Sequence, residues 1–370
     1  MCGIIGYTGH TDARGKLIKG LKTLEYRGYD SAGIAVFNDT LNEVIVAKCE
    51  GRVERLDEKS KDIKGNTGIG HTRWATHGGV SDSNSHPHKF GNVTLVHNGI
   101  IENYASIKNQ LGIAGKLKSQ TDSEVVAALI DNYYHIGSDP SEAIIKAVRE
   151  IKGTFALGIM FDDIPDVIYA VRNVSPIVCC VNDDGAYIAS DITAIGEYSK
   201  EYFVLPELTI AEITKNGIEV RDFQDNKVDV KMLELDWDIN NSGKKHYPFY
   251  MEKEISEQPE VIEKTIRLRI KDGLPDFSAD GVDDSIFTEC ENITVIACGT
   301  AMHAGLIGKH LIEKTCAVPV NVYMASEYMY CDPIVSDKTL VICVSQSGET
   351  IDTLEALKYA KSKGAKTLSI

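Results

Sequence analysis

The feature that most constrains the fold of this chain is a change of pattern partway along it. Up to about residue 228 the chain is a succession of short apolar, β-branched runs: Cys2–Tyr7, Gly33–Phe37, Val44–Ala47, Val93–His97, Phe155–Phe161, Val167–Val171, Ile177–Val181 and Ala186–Ala189. Gly, Asn or Asp separates most of them, the signature of successive strands joined by turns. Helical periodicity breaks in at Asp122–Tyr134 and Ser141–Ile151, and Thr121 or Asp122 followed by Glu124 offers a helix start. Strands with a few intervening helices predict packed sheets flanked by helices rather than a wound parallel sheet.

From Val228 to Tyr250 the sequence turns polar and turn-rich, and helical pattern resumes from about Pro248 to Ile270. After a second turn-rich stretch, Asp272–Ser285, strand–loop–helix units follow: Ile293–Cys298 into His303–Lys314, and Thr339–Val344 into Ile351–Lys363. Alternating β and α predicts a parallel sheet. The expected division is therefore a domain over residues 2–228, a linker with connecting helices over 229–285, and a second, incomplete domain over 286–370. With 370 residues there is room for two or three domains. The closing residues Ala365–Ile370 read as a strand opening with nothing after it, so the chain is expected to be part of something longer.

Charge and cysteine usage narrow the chemistry. A formal net charge of −15 argues against a nucleic-acid partner, which needs a basic footprint. Nine cysteines without a C-x-x-C pair fit reduced thiols. No apolar run approaches the roughly 20 residues of a membrane helix, and the first ten residues carry neither Lys nor Arg, against a secretory signal. The expectation is a cytoplasmic protein without membrane or nucleic-acid partners.

The second residue is a cysteine. Removal of Met1 would leave one residue bearing a thiol and a free α-amine, a nucleophile with its own weak base. The competing reading is an ordinary cysteine before an apolar strand. Four further segments are richer in polar groups than structure alone requires: Tyr26–Ser31, His71–Gly78, His97–Gly99 and Thr121–Asp122. If a thiolate attacks an amide, the tetrahedral oxyanion needs fixed donors. The Asn98 carboxamide and the Gly99 N–H can supply two; alternatively Asn98-Gly99 is a hairpin turn, the reading local sequence favours. An amino-acid substrate also carries a carboxylate, which Arg73 can fork, and an ammonium, which Asp122 can meet; alternatively Asp122 caps a helix. Five histidines fall between positions 71 and 97, but the spacing of no Cys or carboxylate completes a familiar metal set, so no metal is expected.

Cys2–Gly6, Glu25–Gly33, Gly70–Gly78, His97–Asn103 and Thr121-Asp122, in that order, closely resemble the glutaminase half of the glutamine–fructose-6-phosphate aminotransferase family, an N-terminal-nucleophile class II amidotransferase. The resemblance implies a four-layer αββα sandwich of the N-terminal-nucleophile hydrolase type. It implies Cys2 as nucleophile, Asn98 and Gly99 as oxyanion hole, and Arg73, Thr76, His77 and Asp122 as glutamine-binding residues. It makes Trp74, which the sequence alone would place in a packed core, the gate of an internal ammonia passage. Cys298–Ala301 and Ser345–Thr350 resemble the sugar-phosphate loops of the family's sugar-isomerase (SIS) domain, an α/β parallel-sheet domain here incomplete. Thr300, Ala301, Ser345, Gln346, Ser347 and Thr350 become the sugar-phosphate residues, although Ala301 stands where many relatives have Ser. Hydroxyls and N–H groups at a helix N-terminus suit a phosphate without a basic residue; ordinary capping of a βα loop is the other reading. The implied reaction moves the amide nitrogen of glutamine to fructose 6-phosphate, giving glucosamine 6-phosphate and glutamate, without a cofactor. A homodimer is implied for the full-length family. Two other readings are another class II amidotransferase and a non-catalytic sugar-phosphate-binding module.

Overall fold

The computed structural model describes residues 2–75, 78–235, 246–346, 348 and 350–370. It divides into two compact units, Met1–Gly243 and Lys244–Ile370. In the first, the order is β1 (Gly3–Gly9), α1 (Ala13–Leu24), β2 (Ser31–Asn38), β3 (Glu43–Glu50), α2 (Val53–Lys59), β4 (Thr67–Arg73), β5 (His88–Phe90) and β6 (Val93–Ile101). Three helices follow, α3 (Tyr104–Leu111), α4 (Asp122–His135) and α5 (Pro140–Glu150). The unit then closes with β7 (Gly153–Phe161), β8 (Ile164–Asn173), β9 (Val178–Asn182), β10 (Gly185–Ala189), β11 (Glu201–Val204), β12 (Thr209–Thr214), β13 (Gly217–Asp222) and β14 (Leu233–Glu234).

These strands form two antiparallel sheets, ordered β14-β11-β9-β10-β1-β4-β2-β3 and β13-β12-β8-β7-β6-β5. Alternation along each strand sorts side chains to the two faces. On β1, Ile4 joins the apolar cluster shared by the two sheets, while Ile5 and Tyr7 pack outward with Leu17 and Leu21 of α1. On β7, Ala156 and Met160 face the first sheet, while Phe155, Leu157 and Ile159 face Val126, Leu129 and Ile130 of α4. Helix, sheet, sheet, helix is the four-layer αββα arrangement anticipated above. Because both sheets are covered on both faces, β1 and β4 are buried over their whole length.

Helix α4 starts at Thr121, whose Oγ1 accepts from Glu124 N at 3.4 Å. Thr121 rather than Asp122 is thus the cap, and the Glu124 carboxylate turns back to accept from the N–H groups of Lys118 and Ser119. The stretch read as a linker from residue 229 begins within this unit, since β14 pairs with β11.

The second unit holds α6 (Tyr250–Arg267), a small ladder of β15 (Ile270–Lys271) with β16 (Leu274–Pro275), and α7 (Ser285–Thr288). Then come β17 (Asn292–Ala297), α8 (Gly299–Cys316), β18 (Val320–Met324), α9 (Ala325–Tyr328), β19 (Thr339–Val344), α10 (Ile351–Ser362) and β20 (Lys366–Ser369). Its sheet is parallel, in the order β18-β17-β19-β20. Ile293, Val295 and Leu340 on one side and Ile296, Val341 and Cys343 on the other seed two small cores. Among the described residues no helix is long and apolar enough to cross a membrane.

Candidate active site

Cys2 stands immediately before the central strand β1, on the face that Ile4 turns toward the second sheet. The neighbouring ladder is β4, paired with β1 from Gly3↔Thr72 onward. Its alternation puts Ile69, His71 and Arg73 on the inner face, with Ile69 in the shared core. Opposite them, on β6, Val96 lies in that same core and Asn98 is two residues on. Asn98-Gly99 is therefore not a hairpin turn: it sits inside a strand, with Asn98 opposite Ala156 and Gly99 opposite Phe155. The turn reading fails because the apolar run before Asn98 continues after it as Ile100-Ile101, and β7 offers a nine-residue partner.

At this meeting of two sheets the Cys2 thiol accepts from Trp74 N at 3.3 Å, and Asn98 Nδ2 donates to the Cys2 carbonyl at 3.1 Å. Cys2 is partly buried. Burial pushes its thiol pKa up, while the Trp74 N–H and the Arg73 charge pull it back. The Arg73 guanidinium, 4% exposed, donates to the carbonyls of Gly78 and Gly79 at 3.1 and 3.2 Å. Its pKa is lowered by burial, opposed by the charges of Cys2, Asp122 and Asp30. Asp122, also buried, accepts from Ile101 N at 2.8 Å through Oδ2 and from the Ser123 hydroxyl at 3.2 Å through Oδ1. One carboxylate thus ties the start of α4 to the end of β6, the strand that carries Asn98. Thr76 and His77 lie outside the described residues.

Trp74 is 47% exposed and sits edge-on to the Tyr29 ring at 6.0 Å, so it is not a core residue. The Tyr26–Ser31 motif holds the backbone beneath it. Asp30 Oδ2 accepts from Ala75 N at 2.9 Å, and Asp30 N donates to Arg73 O. Gly28 permits this approach, since a Cβ there would stand 2.7 Å from Arg73 C and Trp74 N. Arg27 pairs with Asp191, which also accepts from Tyr26 Oη. The neighbouring Ser190 hydroxyl accepts from Ile4 N at 2.9 Å, fixing the start of β1. Sequence reading singled out the motif but not these tasks, nor Ser190 and Asp191, which carry no motif of their own.

Four of the clustered histidines are buried behind the site. His71 stacks on His86 with centroids 4.2 Å apart, and His86 meets His88 edge-on at 4.5 Å. His97 Nδ1 and His88 Nε2 share hydrogen bonds with the hydroxyls of Ser123 and Thr121. Burial lowers the pKa of all four, His71 to about 3. Among the described residues no three of His, Cys, Asp and Glu are arranged to hold a metal ion.

In the second unit, β17 and β19 are adjacent and parallel, with Ala297 level with Val344. The loops that follow them therefore leave the same end of the sheet. Thr300 and Ala301 open α8, Thr350 precedes α10, and the Ser345 hydroxyl accepts from Gly348 N at 3.1 Å. Gln346 is exposed, and Ser347 lies outside the described residues.

Residues 71–197 match the family model of a glutamine amidotransferase domain, and residues 286–370 that of the SIS domain. The whole chain is 43% identical to the glutamine–fructose-6-phosphate aminotransferase (isomerizing) of Clostridium acetobutylicum and 44% identical to that of Caldanaerobacter subterraneus. In both comparisons the match takes in 100% of this chain and 61% of the relative, so the chain spans about three-fifths of their length. Among solved structures, glutamine phosphoribosylpyrophosphate amidotransferase from B. subtilis aligns with a TM-score of 0.54 at 17% identity, over 100% of this chain and 81% of that one. That likeness is one of fold.

Proposed function

Because the chain belongs to the glutamine–fructose-6-phosphate aminotransferase family, joining an N-terminal-nucleophile glutamine amidotransferase domain to a SIS domain, we propose that its first unit hydrolyses glutamine at Cys2. The observation that carries this reading is the convergence of the Cys2 thiol, the Trp74 N–H and the Asn98 carboxamide where the two sheets meet.

With Met1 removed, the α-amine of Cys2 takes the thiol proton as sulfur attacks the glutamine side-chain carbonyl carbon. A carboxamide has two N–H donors. Asn98 spends one on the Cys2 carbonyl and offers the other, with the Gly99 N–H, to the oxyanion. The intermediate collapses, ammonia takes the proton and leaves, and water hydrolyses the γ-glutamyl thioester to glutamate. Arg73, Thr76 and His77 bind the glutamine backbone groups together with Asp122, the carboxylate of the set. Trp74 gates the departure of ammonia, and in the second unit Thr300, Ala301, Ser345, Gln346, Ser347 and Thr350 receive the phosphate of fructose 6-phosphate. Two loops at one end of a parallel sheet support that assignment, since ligands of open α/β sheets bind outside the carboxyl ends of the strands. The whole protein's reaction is then amide-nitrogen transfer to fructose 6-phosphate, giving glucosamine 6-phosphate, in a cytoplasmic homodimer. The same reading makes the first unit, which runs past residue 228 to include β14, the glutaminase domain, and residues 286–370 the start of the sugar-isomerase domain.

The test is glutamate release by the chain and by Cys2→Ala, with the intact mass after labelling by a glutamine-analogue electrophile. One label per chain, on a chain lacking Met1, and turnover lost in Cys2→Ala are expected. Turnover retained in Cys2→Ala overturns the nucleophile.

A further inference from the structure

We propose that His71 is the positioning residue of the oxyanion hole: its Nε2–H fixes which end of the Asn98 carboxamide faces Cys2. The inference rests on the glutaminase reading above and adds a residue to it. A carboxamide is nearly symmetric in shape, so Asn98 can present oxygen or nitrogen to Cys2 with little steric difference. Only its hydrogen-bond partners decide.

His71 reaches across from β4 to β6, with Nε2 3.0 Å from Asn98 Oδ1 and 3.1 Å from the His97 carbonyl. The His97 carbonyl can only accept, so Nε2 carries the hydrogen. An N–H there demands an acceptor from Asn98, which turns Oδ1 toward His71 and leaves Nδ2 to donate to the Cys2 carbonyl. The reversed carboxamide would set Oδ1 against the Cys2 carbonyl, and against the negative charge that forms beside it.

The ring is held for this task. His71 is fully buried and stacked on His86 at an interplanar angle of 22°. Its Nδ1 is buried and has no hydrogen-bond partner among the described residues. A buried orphan acceptor costs stability, and here it belongs to the tautomer that Asn98 requires. Burial also keeps the ring neutral through the neutral pH range, with a pKa near 3, so the donor does not change identity.

The experiment compares His71→Phe, which keeps a ring but no donor, with His71→Gln, whose carboxamide nitrogen reaches the Nε2 position. Glutamate release gives kcat and KM, and iodoacetamide alkylation, followed on the N-terminal peptide because Cys316 and Cys331 are also exposed thiols, reports Cys2 without an oxyanion. In His71→Phe, kcat is expected to fall about 10²-fold, the size of a lost oxyanion donor, with KM and the alkylation rate within about twofold. His71→Gln should recover most of kcat. In an Asn98→Ala background, His71→Phe should cost less than about threefold more, because both act through one group. Three results overturn the proposal: parental kcat in His71→Phe, alkylation falling in step with kcat, or no recovery in His71→Gln. Should His71→Phe not fold, His71→Asn, whose carboxamide stops short of Nε2, takes its place against His71→Gln. Turnover surviving in Cys2→Ala would instead sink the glutaminase reading; a dead Cys2→Ala beside a fully active His71→Phe sinks only the role of His71.

Discussion

At the scale of single residues, the site is bound by hydrogen bonds that run between elements distant in sequence. Cys2, Trp74 and Asn98 are separated by 72 and 96 positions yet share two contacts. The histidines behind them carry a measurable consequence. A histidine whose folded pKa lies below its unfolded value of about 6.5 contributes its full stability above that value. The contribution is lost as pH falls toward the folded pKa, near 3 for His71, with His86, His88 and His97 shifted the same way. Each histidine that stays neutral on folding should therefore remove about 1.4 kcal/mol of unfolding free energy per pH unit below about 6.5. Denaturant titrations between about pH 6.5 and 5, above most carboxylate titrations, should show this decline, with proton uptake on unfolding. A flat profile would contradict the buried neutral cluster.

At the scale of elements, legibility followed periodicity. The run Val93–His97 was readable as a short apolar, β-branched stretch, and helices α4 and α5 by helical spacing, α4 also by its capping start. Strand β4 escaped. Its sequence, Thr-Gly-Ile-Gly-His-Thr-Arg, shows neither alternation nor a β-branched run, because it is covered on both faces and its inner face holds site residues. Helix α1 escaped less excusably, since Leu17, Ile18, Leu21 and Leu24 mark a buried stripe. Asn98-Gly99 misled because the dipeptide that best signals a hairpin also suits close approach within a strand. Gly99 has φ +132°, and a Cβ there would lie 2.0 Å from the Thr154 carbonyl of the neighbouring strand β7. Gly99→Ala must therefore push β6 from β7. A loss of about 1–3 kcal/mol of stability is expected, together with at least a tenfold drop in glutamate release; an unchanged melting temperature would refute the close approach.

At the scale of the molecule, the order of events along the chain was legible as a switch from antiparallel strands to βα units, and the two compact units follow it. What could not be read was the pairing of the sheets, which is fixed by contacts across the sandwich rather than by neighbours in sequence. Cys2, Arg73, Asn98 and Asp122 all belong to the first unit, and the loops after β17 and β19 to the second. The chain should accordingly release glutamate from glutamine without fructose 6-phosphate. Glutamate release that appears only when the sugar is added would contradict a self-sufficient first unit.

Strand β1 is flanked by β10 on one side and β4 on the other, and its first hydrogen-bonded residues follow Cys2 directly. There is no slack between Cys2 and the middle of the sheet. On the proposed mechanism, a purification handle fused ahead of Cys2 would abolish the free amine while leaving the sandwich intact, yielding a well-behaved but inert preparation. Handles belong at the opposite terminus.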